Sequence, residues 1–128
     1  SVLATTTTPN MLIPLYCGVK NNTRYGALWP LPSLLQLQHN STTQAPYHHY
    51  HQLFINGLTD DLRSKPAQLI FIDSRQPPYY ISDPKFNLAH YLLSNISFKD
   101  IWSHYHYMTT IGHYVIYQRL SYSHNKAT

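Results

Sequence analysis

The run Leu69-Ile70-Phe71-Ile72 limits the architecture of this chain more than any other stretch. It is apolar without polar alternation, and Pro66 before it and Ser74-Arg75-Gln76-Pro77-Pro78 after it mark its ends. An unbroken apolar run of strand length reads as a strand shielded on both faces, which places it inside a sheet with helices above and below. Asp73 then falls at the carboxyl end of that strand, where open α/β sheets hold their ligand crevice.

The segments on either side fit the same plan. Upstream, apolar residues recur at Tyr47, Tyr50, Phe54, Leu58 and Leu62, spacings of three and four that put them on one face of a helix from about Tyr47 to about Arg63. Ser64-Lys65-Pro66 is a short connection into the strand, so the two make an α-to-β unit of a layered domain. Downstream, Gln76-Pro77-Pro78-Tyr79-Tyr80 reads as extended loop, because each Pro biases its predecessor away from helix. Asp83-Pro84 has the form of a helix start, with Phe86, Ala89, Leu93 and Ile96 as the buried stripe and Leu88 and Leu92 flanking it. Ser97 to Asp100 has capping-box form and predicts a second helical piece carrying Phe98, Ile101 and Trp102. Tyr107–Ile111 and Tyr114–Arg119, separated by Gly112-His113, predict a hairpin with a type II′ turn.

The amino-terminal part is less regular. Val2 to Thr6 and Arg24 to Trp29 are strand candidates, Met11 to Tyr16 is apolar but interrupted by Pro14, and Ser33 to Leu37 predicts a short helix capped by Ser33. The expected fold is therefore α/β: one small layered, Rossmann-like domain over residues 1–120 with a central buried strand, flanking helices and a carboxyl-terminal β-hairpin, followed by a polar tail at 121–128.

Composition narrows the function classes. Only 11% of residues are charged while twelve are Tyr and nine are His, so the surface is dressed with neutral polar groups. The nine Lys and Arg residues are scattered, which argues against nucleic acid as a partner. The single Cys17 permits no internal disulfide. The glycines are isolated, so a phosphate-cradling loop is not encoded, and Gly-x-Ser-x-Gly does not occur.

Four constellations remain. His48 and His51, three apart on the predicted helix, can share a face and offer two imidazoles to Zn²⁺, although the commoner role of such residues is to solvate a polar face. Asp73 can bind a ligand or act as a base, and more often such a residue caps a neighbouring loop. Tyr79 and Tyr80, with Trp29 and Trp102, offer flat apolar surfaces with polar tips suited to stacking on a sugar or peptide, with ordinary packing as the commoner explanation. Three sequons, at Asn21, Asn40 and Asn95, are expected by chance in a chain this rich in Asn, Ser and Thr.

Two groups of residues resemble a known family. Ile13-Pro14-Leu15-Tyr16 followed by Asn22-Thr23-Arg24-Tyr25-Gly26-Ala27-Leu28-Trp29-Pro30-Leu31-Pro32 is similar to a pattern in bacterial multi-spanning membrane glycosyltransferases of the GT-C type. Lys65–Asp73, Phe98–Trp102 and Ile111–Arg119, in that order, resemble the soluble carboxyl-terminal domain that follows the last membrane helix of such proteins. The resemblance implies an extracytoplasmic, periplasmic domain at the bacterial inner membrane, partnered by its own transmembrane portion and by a polyprenyl-phosphate-linked sugar or glycan acceptor. The family's catalytic acidic residue belongs to a loop between early membrane helices, so no catalytic residue carries over. The positions that match are Arg24, Trp29, Asp73, Tyr114, Tyr117 and Arg119.

The expectation is thus a non-catalytic accessory domain of a membrane glycosyltransferase, needing no cofactor, with Asp73, Tyr79, Tyr80, Arg24 and Trp29 as ligand-binding candidates. The alternatives are a His-rich periplasmic module holding Zn²⁺ through His48 and His51, and a small enzyme working through Asp73.

Overall fold

The computed structural model describes residues 1–5, 23–24, 28, 30–38 and 44–121. Met11 to Tyr16, Cys17, Asn21, Trp29 and the tail from residue 122 lie outside them. In chain order the elements are β1 (Val2–Leu3), α1 (Pro30–Gln38), α2 (Gln44–Ser64), β2 (Leu69–Asp73), α3 (Leu88–Leu93), α4 (Ile96–Trp102), β3 (Tyr105–Ile111) and β4 (Tyr114–Arg119). The class is α/β.

The four strands form one sheet in the order β1-β2-β4-β3, which puts β2 in its interior as its composition requires. β1 runs parallel to β2, with Val2 opposite Phe71, while β4 is antiparallel to β2, with Phe71 opposite Ile116. The sheet is therefore mixed, and its parallel part is the β1–β2 pair. β3 closes the hairpin, and its register against β4 shifts between Tyr107 and Thr109, leaving Met108 as the extra residue of a bulge. Gly112 turns the hairpin at φ +57 with His113 on the ordinary side, the combination that a type II′ turn demands.

The two faces of β2 differ. Ile70 and Ile72 are fully buried and join Leu3, Tyr105 and residues of all four helices in one core. Leu69 and Phe71 point to the other face by alternation and are half-buried. Phe98 anchors the helical side and stacks on Trp102 at 5.6 Å, and Trp102 meets Tyr117 of β4 at 4.3 Å. The buried Tyr105 hydroxyl donates to the Ala67 carbonyl at 2.6 Å, tying the start of β3 to the approach of β2.

Several sequence expectations shift in phase. α2 begins at Gln44 rather than Tyr47, because Pro46 sits in the first turn, where its missing N–H has no intrahelical partner to lose. Its buried stripe holds Tyr47, Phe54, Leu58 and Leu62 as predicted, but Ile55 and Thr59 complete it, while Tyr50 is 54% exposed. Thr59 is satisfied within the helix by donating to the Ile55 carbonyl at 2.9 Å. Likewise α1 starts at Pro30 and not at Ser33, with both prolines in its first turn. Arg24 and Leu28, the described ends of the second strand candidate, lie outside any strand.

The Asp83-Pro84 start is corrected most clearly. Asp83 Oδ1 accepts from Lys85 N at 2.9 Å, and Phe86 N donates to the Asp83 carbonyl at 3.2 Å, so Asp83 closes an isolated turn. The N-cap of α3 is Asn87, whose side chain accepts from His90 N, and Asn95 caps α4 by accepting from Phe98 N at 3.1 Å. Moving the start from Asp83 to Asn87 turns Leu88 and Leu92 inward and sends Ile96, expected in the stripe, to 86% exposure. Ser97 follows the cap instead of being it. No described helix is long and apolar enough to cross a membrane.

Candidate functional site

The carboxyl end of β2 carries the acidic candidate Asp73. Asp73 is paired with Tyr114 across the ladder, and its side chain is 0% exposed. One oxygen accepts from Arg75 N at 3.0 Å and the other from Arg75 Nη1 at 3.1 Å. Arg75 lies with its guanidinium carbon 4.6 Å from the Tyr79 ring centroid and 5.8 Å from that of Tyr114, a cation between two aromatic faces. Burial works against the Arg75 charge, but hydrogen bonding to Tyr114 and the Asp73 carboxylate outweigh it and hold the guanidinium above its ordinary value. Burial also pushes the Tyr114 phenol up, against the pull of Arg75. A general base must present an oxygen to its substrate. Both Asp73 oxygens are occupied and shielded, so this cluster locks the turn after β2 and leaves no opening for a reactant.

Arg24 is committed elsewhere. Its Nε and Nη2 donate to Asp61 on α2 at 2.9–3.1 Å, and its backbone N donates to the same carboxylate at 2.6 Å. This two-pronged clasp is the geometry a guanidinium fork favours, and it fastens the amino-terminal segment to the long helix. Trp29, the other amino-terminal candidate, is outside the described residues.

Tyr79 and Tyr80 separate in the structure. Tyr79 serves as one wall around Arg75, and its carbonyl accepts from Thr5 Oγ1 at 2.6 Å. Tyr80 stands in a tight turn closed by Ile81 N donating to the Pro78 carbonyl at 3.3 Å. It takes φ +67, a conformation that normally calls for Gly, and its side chain is 77% exposed. A bulky residue held there is strained, and such strain is concentrated at binding surfaces.

Tyr80 borders a groove of about 300 Å³ between α1, the first turns of α2, the Ile81–Phe86 loop and α3. Tyr47, Phe86 and Tyr91 supply further aromatic wall, and Gln36, His51, Ser82 and Asp83 supply polar groups. His51 stacks on Tyr47 at 5.2 Å and meets the Tyr91 ring edge-on at 5.7 Å, while Phe86 leans on Tyr91 at 5.6 Å. Burial, and then the nearby charge of His48, lower the His51 pKa, which favours the neutral ring with one donor and one acceptor. Burial pushes the Tyr91 phenol far above its usual range, with Tyr47 adding to the effect. Among the described residues, Tyr91 Oη is the one buried side-chain polar atom without a hydrogen-bond partner.

The two histidines of the pair have different surroundings. His51 belongs to the groove wall, whereas His48 is exposed beside it, and among the described residues no group of three His, Cys, Asp or Glu is placed to hold a metal. The groove residues that sequence reasoning missed include Gln36, Ser82, Asp83, Phe86 and Tyr91, contributed by α1, the loop before α3 and α3 itself. Tyr91 sits next to the stripe residues Leu92 and Leu93, and nothing local distinguishes it from core. Comparison with protein-family models, with curated proteins and with solved structures gives no match.

Proposed function

We propose that this chain is a non-catalytic glycan-recognition module, acting as the extracytoplasmic accessory domain of a bacterial membrane glycosyltransferase and helping that enzyme to hold its acceptor or donor. The observation that carries the reading is the groove bordered by Tyr80. Its flat aromatic walls suit the apolar faces of a pyranose, and a neutral imidazole, amides, a hydroxyl and a carboxylate suit its hydroxyls. A volume of about 300 Å³ is at the small end of ligand pockets, enough for one or two sugar rings. The assignment to a glycosyltransferase rests on the resemblance of Lys65–Asp73, Phe98–Trp102 and Ile111–Arg119 to the soluble domain of GT-C-type proteins. The shielded Asp73 suits a recognition role better than a catalytic one.

Ligand-observed NMR with a panel of soluble oligosaccharides tests the groove. The expected result is saturation transfer that His51→Ala and Tyr80→Ala each reduce. Binding by neither the wild type nor any variant removes the recognition role. In the full-length parent protein, sugar transfer and acceptor choice that stay unchanged on deleting the domain remove the accessory role.

A further inference from the structure

A second recess lies on a different part of the molecule, where α2 and α4 end beside the last residue of β4. It measures about 280 Å³, with an apolar floor that includes Leu62 and Ile101 and a rim carrying Arg63, His104 and Arg119 against a single carboxylate, Asp100. We propose that this recess binds a phosphoryl group, as a free phosphate ester or as a lipid headgroup.

The basic side chains come from three segments of the chain, α2, the turn after α4, and β4. Arg119 N donates to the Gln68 carbonyl at 2.9 Å, His104 N donates to the Ile101 carbonyl at 3.1 Å, and Arg63 is in the last turn of α2. Arg63 lies where α2 ends, and a cation is favourable there in any case. Arg119 has no such reason, since it closes a strand, and among the described residues no carboxylate pairs with its guanidinium. Arg63 reaches Asp100 at 3.8 Å with both side chains largely exposed, a loose pair that a better anion can displace. Its Nη2 also donates to the Ser97 carbonyl at 3.4 Å, which keeps the group near the rim. Two guanidinium forks and an imidazole around one cavity match the oxygens of a phosphate, and the apolar floor leaves room for the organic part of an ester. Asp100 then acts as a competitor that the phosphate must push aside.

The competitor supplies a test that misfolding cannot imitate. With calorimetry and inorganic pyrophosphate as the probe, Arg119→Gln is expected to weaken binding about tenfold or more, and Asp100→Asn to tighten it about threefold. Co-sedimentation with phosphatidylcholine vesicles containing phosphatidic acid separates the sources: capture by vesicles beyond what pyrophosphate affinity accounts for supports a lipid headgroup, and pyrophosphate binding alone supports a soluble ester. Wild-type chain that binds neither probe overturns the proposal. So does an Arg119→Gln chain that binds as the wild type does, or an Asp100→Asn chain that binds no more tightly.

Discussion

Asp73 and Arg75, two residues apart, close a ring at the end of β2 in which both oxygens of a fully buried carboxylate are occupied by the backbone N–H and the guanidinium of the same neighbour. The pair explains why an acidic residue at a strand end can be structural. The carboxylate is needed to accept from a turn and to neutralise a cation that is itself only 25% exposed.

Removing one partner leaves the other stranded in a low dielectric. Asp73→Ala is expected to cost about 2 kcal/mol, since Arg75 loses its counter-ion while keeping Tyr79 and Tyr114 around it. Asp73→Asn keeps an acceptor for Arg75 N and is expected to cost less. Urea denaturation of the two variants measures the order, and equal loss in both would deny the charge its part.

The Arg24–Asp61 clasp makes a pH-dependent contribution with a definite sign. Hydrogen bonds from the Arg24 side chain, ahead of the smaller opposing effect of burial, hold the Asp61 carboxyl below its ordinary 3.8. A depressed folded-state value means stability that is fully present above the unfolded value and lost as pH falls through the folded one. Wild type is therefore expected to exceed Arg24→Gln by a constant margin from neutral pH to about pH 5, with the margin shrinking below about pH 4. Arg24 is 56% exposed, so the margin should be no more than about 1 kcal/mol. Melting curves at neutral pH and at acid pH decide the matter.

The phase of α3 and α4 is equally open to test. Asn87→Ala and Asn95→Ala each remove an N-cap acceptor and are expected to cost about 1 kcal/mol, whereas Ser97→Ala should cost clearly less. Ile96→Ala should change stability by less than about 0.5 kcal/mol, and Phe98→Ala, at the fully buried anchor, by about 3–5 kcal/mol. A large loss from Ile96→Ala would place that residue back in the core.

Tyr80 offers a trade between stability and binding. Tyr80→Gly relieves a left-handed conformation and is expected to raise stability by about 1 kcal/mol, while stripping the aromatic edge from the groove. Thermal melting together with saccharide titration reads both effects on one variant. A destabilised Tyr80→Gly chain with undiminished binding would show that the ring is there for packing.

The linear order of residues determined the identity of the elements that matter most here. The short apolar run Leu69–Ile72 between prolines reads as a strand, although only its Ile70 and Ile72 face is fully buried; the threes and fours of Tyr47, Phe54, Leu58 and Leu62 read as one face of a helix, and Gly112 is the residue whose φ the hairpin requires. These are local patterns, set by the periods of helix and strand. Which Asn or Asp caps a helix was not local, because Asp83, Asn87, Asn95 and Ser97 all have capping chemistry and the burial of Leu88, Leu92 and Phe98 selects among them. The candidate sites were decided the same way. Packing turned Asp73 and Arg24 into partners of Arg75 and Asp61, set His51 in a groove wall, and brought Tyr80 and Tyr91 to one groove and Arg63 and Arg119 to one recess across separations that no sequence spacing encodes. A recess exists only where elements distant in the chain fail to fill the space between them, and that is a property of the packed molecule.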